Sequence, residues 1–167
     1  YVAKTAFLRD AVYNLSSNNS QSELYLTDIV AAAAKAGGVI AIAAKNVDAL
    51  SGVNDRAHLA AAEEKLYARI AEGWRIQGAT IATSARIDAG VRVDPDAKIE
   101  HHVVLRGATR IGAGAHIDVG AVLTDVTVEA SAVVLPYTVA TSSSIGERAK
   151  IGPFSHLRPE SRIDEAA

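Results

Sequence analysis

Five histidines, one asparagine ahead of a helical pattern and one arginine behind a leucine are the residues of this chain whose types could do chemistry. Histidine transfers protons near neutral pH and is a frequent metal ligand. His101 and His102 are adjacent, so on a strand they point to opposite faces and do not share one metal. His58 falls on a helical pattern. His116 and His156 precede Ile117 and Leu157, which read as inward, so each faces solvent or a subunit interface. Asn54 can offer an amide oxygen to a metal, or it can accept from the first N–H groups of the helix that follows; the residues alone favour the cap. Arg158 follows Leu157 and points outward, where solvent, a ligand or a neighbouring subunit would meet it. Gly112-Ala113-Gly114 is a weak match to a phosphate loop and is better explained by corner glycines. Asp28 sits in the first turns of a helical pattern, where the dipole favours a carboxylate without any catalysis.

The element that must position most of these residues is a ladder with a period of six. Ile81, Ile87, Val93, Ile99, Leu105, Ile111, Ile117 and Leu123 follow one another at that spacing. Four places after each stands a small or β-branched residue, running from Ala85, Val91 and Ala97 to Ala121 and Thr127. This is neither a helix period nor simple alternation. It predicts a hexapeptide β-helix, in which short strands wind round a prism and each turn leans on the next. The frame slips by one residue between Leu123 and Val128, and again between Val134 and Val139, from which Ile145, Ile151, Leu157 and Ile163 follow. Ala132, Thr138, Ser143, Ala149, Ser155 and Ser161 continue the small slot.

Upstream, residues 4–15 predict a short helix with Phe7, Leu8, Val12 and Leu15 on one stripe. Its end is the polar run Ser16-Ser17-Asn18-Asn19-Ser20. Ser20 and Glu23 match a capping box ahead of a helix carrying Leu26, Ile29, Val30 and Ala33, which Gly37 and Gly38 stop. Val39 to Ala44 predicts a buried strand, and Asn46 to Val53 a loop. A longer helix starts at Asn54 or Asp55 and runs to about Gln77, roughly 35 Å at 1.5 Å per residue, with Gly78 as its C-terminal cap. The 167 residues are 49% hydrophobic but only 5% aromatic, which suits a narrow aliphatic prism. A net charge of -2 with no basic run argues against nucleic acid and anionic membranes as partners. Without cysteine there is no disulfide or thiolate chemistry. The chain opens on Tyr1 and reads as an excerpt from a longer one.

Several strings resemble one family. Asn19-Ser20-Gln21-Ser22-Glu23-Leu24-Tyr25-Leu26-Thr27-Asp28 and Gly52-Val53-Asn54-Asp55-Arg56 resemble the end of its first domain. Pro136-Tyr137-Thr138, Ile151-Gly152-Pro153-Phe154 and Leu157-Arg158-Pro159 resemble its β-helix. The family is the bacterial bifunctional enzyme GlmU, an N-acetylglucosamine-1-phosphate uridylyltransferase joined to a glucosamine-1-phosphate N-acetyltransferase. The resemblance covers essentially the whole chain. It implies three parts: residues 1–56 as the C-terminal remnant of an α/β nucleotidyltransferase domain, 57–78 as a linker helix, and 79–167 as the first coils of a left-handed parallel β-helix acetyltransferase domain.

The resemblance also implies a homotrimer, a cytoplasmic location and a role in making UDP-N-acetylglucosamine for the cell envelope. Its small-molecule partners would be UTP, N-acetylglucosamine-1-phosphate, glucosamine-1-phosphate and acetyl-CoA. It assigns Asn54 to magnesium and the sugar nucleotide, and Arg158 to the sugar phosphate. The family's other magnesium ligand, its nucleotide loop and its catalytic histidine match no position here, and one amide oxygen does not hold magnesium. The isolated chain is therefore expected to be inactive. A different expectation is a stand-alone β-helix module for trimerisation or scaffolding, without catalysis. A third, a hexapeptide acyltransferase for another acceptor, leaves residues 1–56 without a role.

Overall fold

The computed structural model describes residues 1–18, 20–45 and 50–167. Asn19 in the polar run, and residues 46–49 of the expected loop, lie outside the described residues. The chain divides into two compact units, Tyr1–Leu50 and Ser51–Ala167.

In the first unit, α1 (Thr5–Tyr13) and α2 (Ile29–Ala36) pack together and bury Ile29. The expected capping box does not form. Ser22 to Tyr25 are not helical, a 3-10 turn covers Leu26–Asp28, and α2 begins only at Ile29. Asp28 stands at its N-terminal boundary with no side-chain capping bond. At the other end, the backbone N–H groups of Gly37 and Gly38 both donate to Ala33 O, so the glycines do stop the helix. The buried strand expected over Val39–Ala44 is absent: the segment is irregular, and Ile40 and Ile42 are 87% and 88% exposed. Its β-branched start suits a strand, but a strand needs a partner, and none of the described residues of this unit supplies one.

In the second unit, α3 runs Arg56–Ile76 and leads into the ladder. Gly78, at φ 103, closes its C-terminus, with its N–H on Arg75 O and the Ala79 N–H on Trp74 O. Ile70, Ala71 and Trp74 settle on the first coil, and the Arg86 guanidinium lies 5.4 Å over the Tyr67 ring.

Fifteen short strands follow, wound as a parallel solenoid of about five turns with three five-stranded sheets. One sheet holds β1 (Thr80–Ile81), β4 (Lys98–Ile99), β7 (His116–Ile117), β10 (Val133–Val134) and β13 (Lys150–Ile151). The second holds β2 (Arg86–Ile87), β5 (Val104–Arg106), β8 (Val122–Thr124), β11 (Val139–Thr141) and β14 (His156–Leu157). The third holds β3 (Arg92–Val93), β6 (Arg110–Ile111), β9 (Thr127–Val128), β12 (Ser144–Ile145) and β15 (Arg162–Ile163). Each strand pairs in register with the strand three later, so aliphatic side chains stack on one another, as in Ile81 on Ile99 on Ile117 on Val134 on Ile151. The period of six thus becomes a column of buried residues down each face.

The two frame slips differ in detail from the pattern read in the sequence. The inward slot after Leu123 is Val126, fully buried, not Thr127, which starts β9 and points outward. After Val134 the next residue of the aliphatic column is Ala140, 1% exposed, while Val139 is 39% exposed. The second deletion therefore falls between Ala140 and Ile145. Both slips leave the second sheet, after β8 and after β11, where one residue turns the corner in the left-handed backbone region: Asp125 at φ 55 and Ser142 at φ 42.

Candidate functional site

Arg158 follows the last residue of β14. Leu157 is 5% exposed, buried against the coil, so alternation turns Arg158 and His156 outward. Both are exposed, and neither side chain has a hydrogen bond or ion pair among the described residues. The corner that follows is fixed by backbone bonds, Ser161 N–H to Arg158 O at 3.1 Å and Glu160 N–H to Ser142 O at 2.8 Å. The corner before it carries Phe154, stacked on Tyr137 with ring centroids 5.4 Å apart.

Asn54 is exposed and is not the helix cap. Asp55 takes that position in extended backbone, and its carboxylate accepts the His58 N–H at 2.7 Å. The same carboxylate lies 3.5 Å from the His58 ring. The capping role goes to Asp55 because an acid also suits the positive end of the helix dipole. The Asn54 amide is left without a hydrogen bond among the described residues. It belongs to the segment ahead of α3, whose far end meets the first coil, whereas Arg158 belongs to the fifth. The two expected site residues are not brought together.

The histidines do not assemble a catalytic centre. His101 and His102 lie at a corner rather than on a strand, with ring centroids 6.1 Å apart. Ser84 Oγ lies 2.9 Å from His101 Nδ1 and accepts the His102 N–H at 3.2 Å. No carboxylate in this contact set orients the imidazole. His116 is half-buried on β7, with Nε2 3.4 Å from Glu100 Oε1 but without the alignment of a hydrogen bond. Lys98 Nζ contacts the same oxygen at 2.6 Å. The hydrogen bond from Lys98 holds the Glu100 carboxyl below the usual carboxylate range, and the same contact raises Lys98. The sequence reading passed over this Lys98–Glu100–His116 group; the signal for it is the one-turn spacing that sets Lys98 beside His116 in register.

Among the described residues, no three His, Cys, Asp or Glu side chains gather as a metal site. Asn54 offers one neutral oxygen, and a hard cation such as magnesium prefers carboxylates and phosphates. The residues present do not fit that ion. Gly112 faces the next coil's backbone, where an added Cβ would lie 2.7 Å from Ala130 N, so close packing at a corner accounts for it rather than a phosphate cradle. No described helix is long and apolar enough to cross a membrane.

No protein-family profile matches the chain. It is 66% identical over 167 residues to the bifunctional protein GlmU of Sorangium cellulosum, covering all of this chain and 35% of that protein. It is 47% identical to the bifunctional protein GlmU of an Anaeromyxobacter species, covering all of this chain and 34% of that protein. The chain thus spans about a third of the length of the curated relatives it matches. Among solved structures, it resembles a mutant GDP-perosamine N-acetyl transferase of Caulobacter crescentus, solved with CoA and GDP-perosamine. The TM-score is 0.52 and the identity 25%, over 62% of this chain and 52% of that one. It shares the fold of the acetyltransferase domain of PglB from Neisseria gonorrhoeae at the same TM-score, with 15% identity, 62% of this chain and 53% of that one covered.

Proposed function

We propose that this chain, which matches GlmU proteins along its whole length, forms the connecting part of a bifunctional transferase making UDP-N-acetylglucosamine. In that protein an acetyl group passes from acetyl-CoA to the amine of glucosamine-1-phosphate. A uridylyl group then passes from UTP to the N-acetylated product. The observation that carries the reading is the end-to-end match at 66% identity, laid on a solenoid that folds like N-acetyltransferases. The first unit is then the end of a nucleotidyltransferase domain, α3 the linker, and the ladder the start of a left-handed acetyltransferase prism.

Arg158 receives the sugar phosphate. A guanidinium fork matches phosphate oxygens and stays charged at any working pH. Asn54 contacts the sugar nucleotide through its amide, which Asp55 leaves free by taking the cap. Homotrimer assembly and a cytoplasmic location belong to the same reading. The experiment is to replace each residue in an intact family member. Arg158→Ala is expected to raise the KM for glucosamine-1-phosphate and spare uridylyl transfer. Asn54→Ala is expected to lower uridylyl transfer and spare acetyl transfer. Equal loss of both activities from either change would count against the assignment.

A second reading is a trimerisation or scaffold module without catalysis. It is favoured by the separation of Asn54 from Arg158 and by the lack of any gathering of three metal-binding side chains among the described residues. Sedimentation would then give a trimer, and turnover of either reaction by the purified chain would end it.

A further inference from the structure

The alternation that parts His101 from His102 holds on a strand and not at a corner. In the structure both stand at the corner between β4 and β5, and both are exposed. Their ring centroids are 6.1 Å apart, with the ring planes tilted by 49°. Two imidazoles bound to one tetrahedral ion, with Zn–N bonds of about 2.0–2.1 Å, hold their centroids roughly 5 Å apart. The difference of about 1 Å is within the reach of side-chain torsions, because exposed rings turn without disturbing a core.

A metal-bound histidine usually donates its other ring N–H to a fixed acceptor, which sets the tautomer and aims the ligating nitrogen. His101 has such a partner. Ser84, one turn earlier, places its Oγ 2.9 Å from His101 Nδ1. The same oxygen accepts the His102 N–H at 3.2 Å, so one serine fixes the ring of one histidine and the backbone of the other. With Nδ1 engaged, Nε2 is the nitrogen of His101 that faces an ion. The ring of His102 has no hydrogen bond or ion pair among the described residues, and its nitrogens are open. Glu100, the residue before them, is held elsewhere: its carboxylate lies 2.6 Å from Lys98 Nζ and 3.4 Å from His116 Nε2. It is therefore not a third ligand, in keeping with the absence of any three-residue metal cluster among the described residues. Water completes the shell. Imidazole nitrogen suits zinc, copper and nickel, whereas magnesium and calcium take oxygen.

We propose that His101 and His102 form a two-histidine site for a divalent transition ion of the zinc class, with Ser84 as the residue that orients His101. The site is separate from Asn54 and Arg158 and does not depend on the roles given to them.

The test titrates zinc chloride into the 167-residue chain at neutral pH, followed by calorimetry and by NMR of the imidazole nitrogens. One zinc per chain is expected, with the rings of His101 and His102 shifting together and His101 reporting a protonated Nδ1 and a zinc-bound Nε2. His101→Ala and His102→Ala are each expected to weaken binding by tenfold or more, and His156→Ala to leave it unchanged. Ser84→Ala is expected to weaken it about tenfold and Ser84→Thr to restore it. The replaced residues lie at the surface, and circular dichroism checks the fold. Unchanged affinity in Ser84→Ala overturns the orienting role of Ser84. Zinc that shifts single histidines independently, with His101→Ala or His102→Ala no weaker than His156→Ala, is an adventitious ion only and overturns the site. Absence of a saturable zinc shift overturns it as well.

Discussion

At the scale of the residue, neighbours divide the work. Asp55 holds α3 and Asn54 does not. Asp55→Ala should therefore cost about 0.5–2 kcal/mol in chemical denaturation of the chain, and Asn54→Ala close to nothing; the reverse order would return the cap to Asn54. Gly112 is a packing residue of the same kind. A Cβ there would meet the backbone of Glu129 and Ala130 at 2.8 and 2.7 Å, and backbone does not yield as a side chain does. Gly112→Ala should cost about 1–3 kcal/mol by overpacking, visible as a lowered denaturation midpoint. Glu100 gives a pH dependence with a definite sign. Its folded-state pKa is lowered, so its contribution is present above the unfolded carboxylate pKa and fades as pH falls through the folded one. Acidification should destabilise the wild type more than Glu100→Gln, by a small margin because the pair is largely at the surface. Equal losses would show that the contact contributes nothing.

At the scale of the element, the solenoid was legible because one inward aliphatic per segment is nearly the whole of its core. Where the sequence misled, size and shape were the reason. Ala140 fills an inward place with a methyl group, while the adjacent Val139 looks apolar enough to belong there. Val126 and Thr127 are both β-branched, and only the one two places before the next inward aliphatic is buried. The spacing of Val126 from Val128 held that signal. The missing strand over Val39–Ala44 is a different failure: local preference was right for a strand, and pairing partners decide. Site residues were legible only singly, since the separation of Asn54, ahead of α3, from Arg158, in the fifth turn, follows only from the register of the turns between them. The corrected frame is testable. Ala140→Asp should destabilise the chain by several kcal/mol because it buries a carboxylate without a partner. Val139→Asp should stay within about 1 kcal/mol. Similar costs at both sites would restore the frame first read.

At the scale of the whole molecule, the second unit is a stack whose stability comes from each turn resting on the next. Leu105, buried between Ile87 and Leu123 in one column of the second sheet, is typical: Leu105→Ala should cost about 2–5 kcal/mol. Function is distributed differently from stability. Asn54 precedes α3, Arg158 lies in the fifth turn, and among the described residues no three His, Cys, Asp or Glu side chains gather as a metal site. On the proposed reading the chain carries ligand contacts and the frame that spaces them, and turnover belongs to the longer protein. The most direct test of that account is an exchange. The matching third of the Sorangium cellulosum GlmU is replaced by this chain, and the purified chimera is assayed for acetyl transfer to glucosamine-1-phosphate and for uridylyl transfer from UTP. The account predicts that both transfers are retained; a chimera that folds as its parent does and has lost either transfer would contradict it.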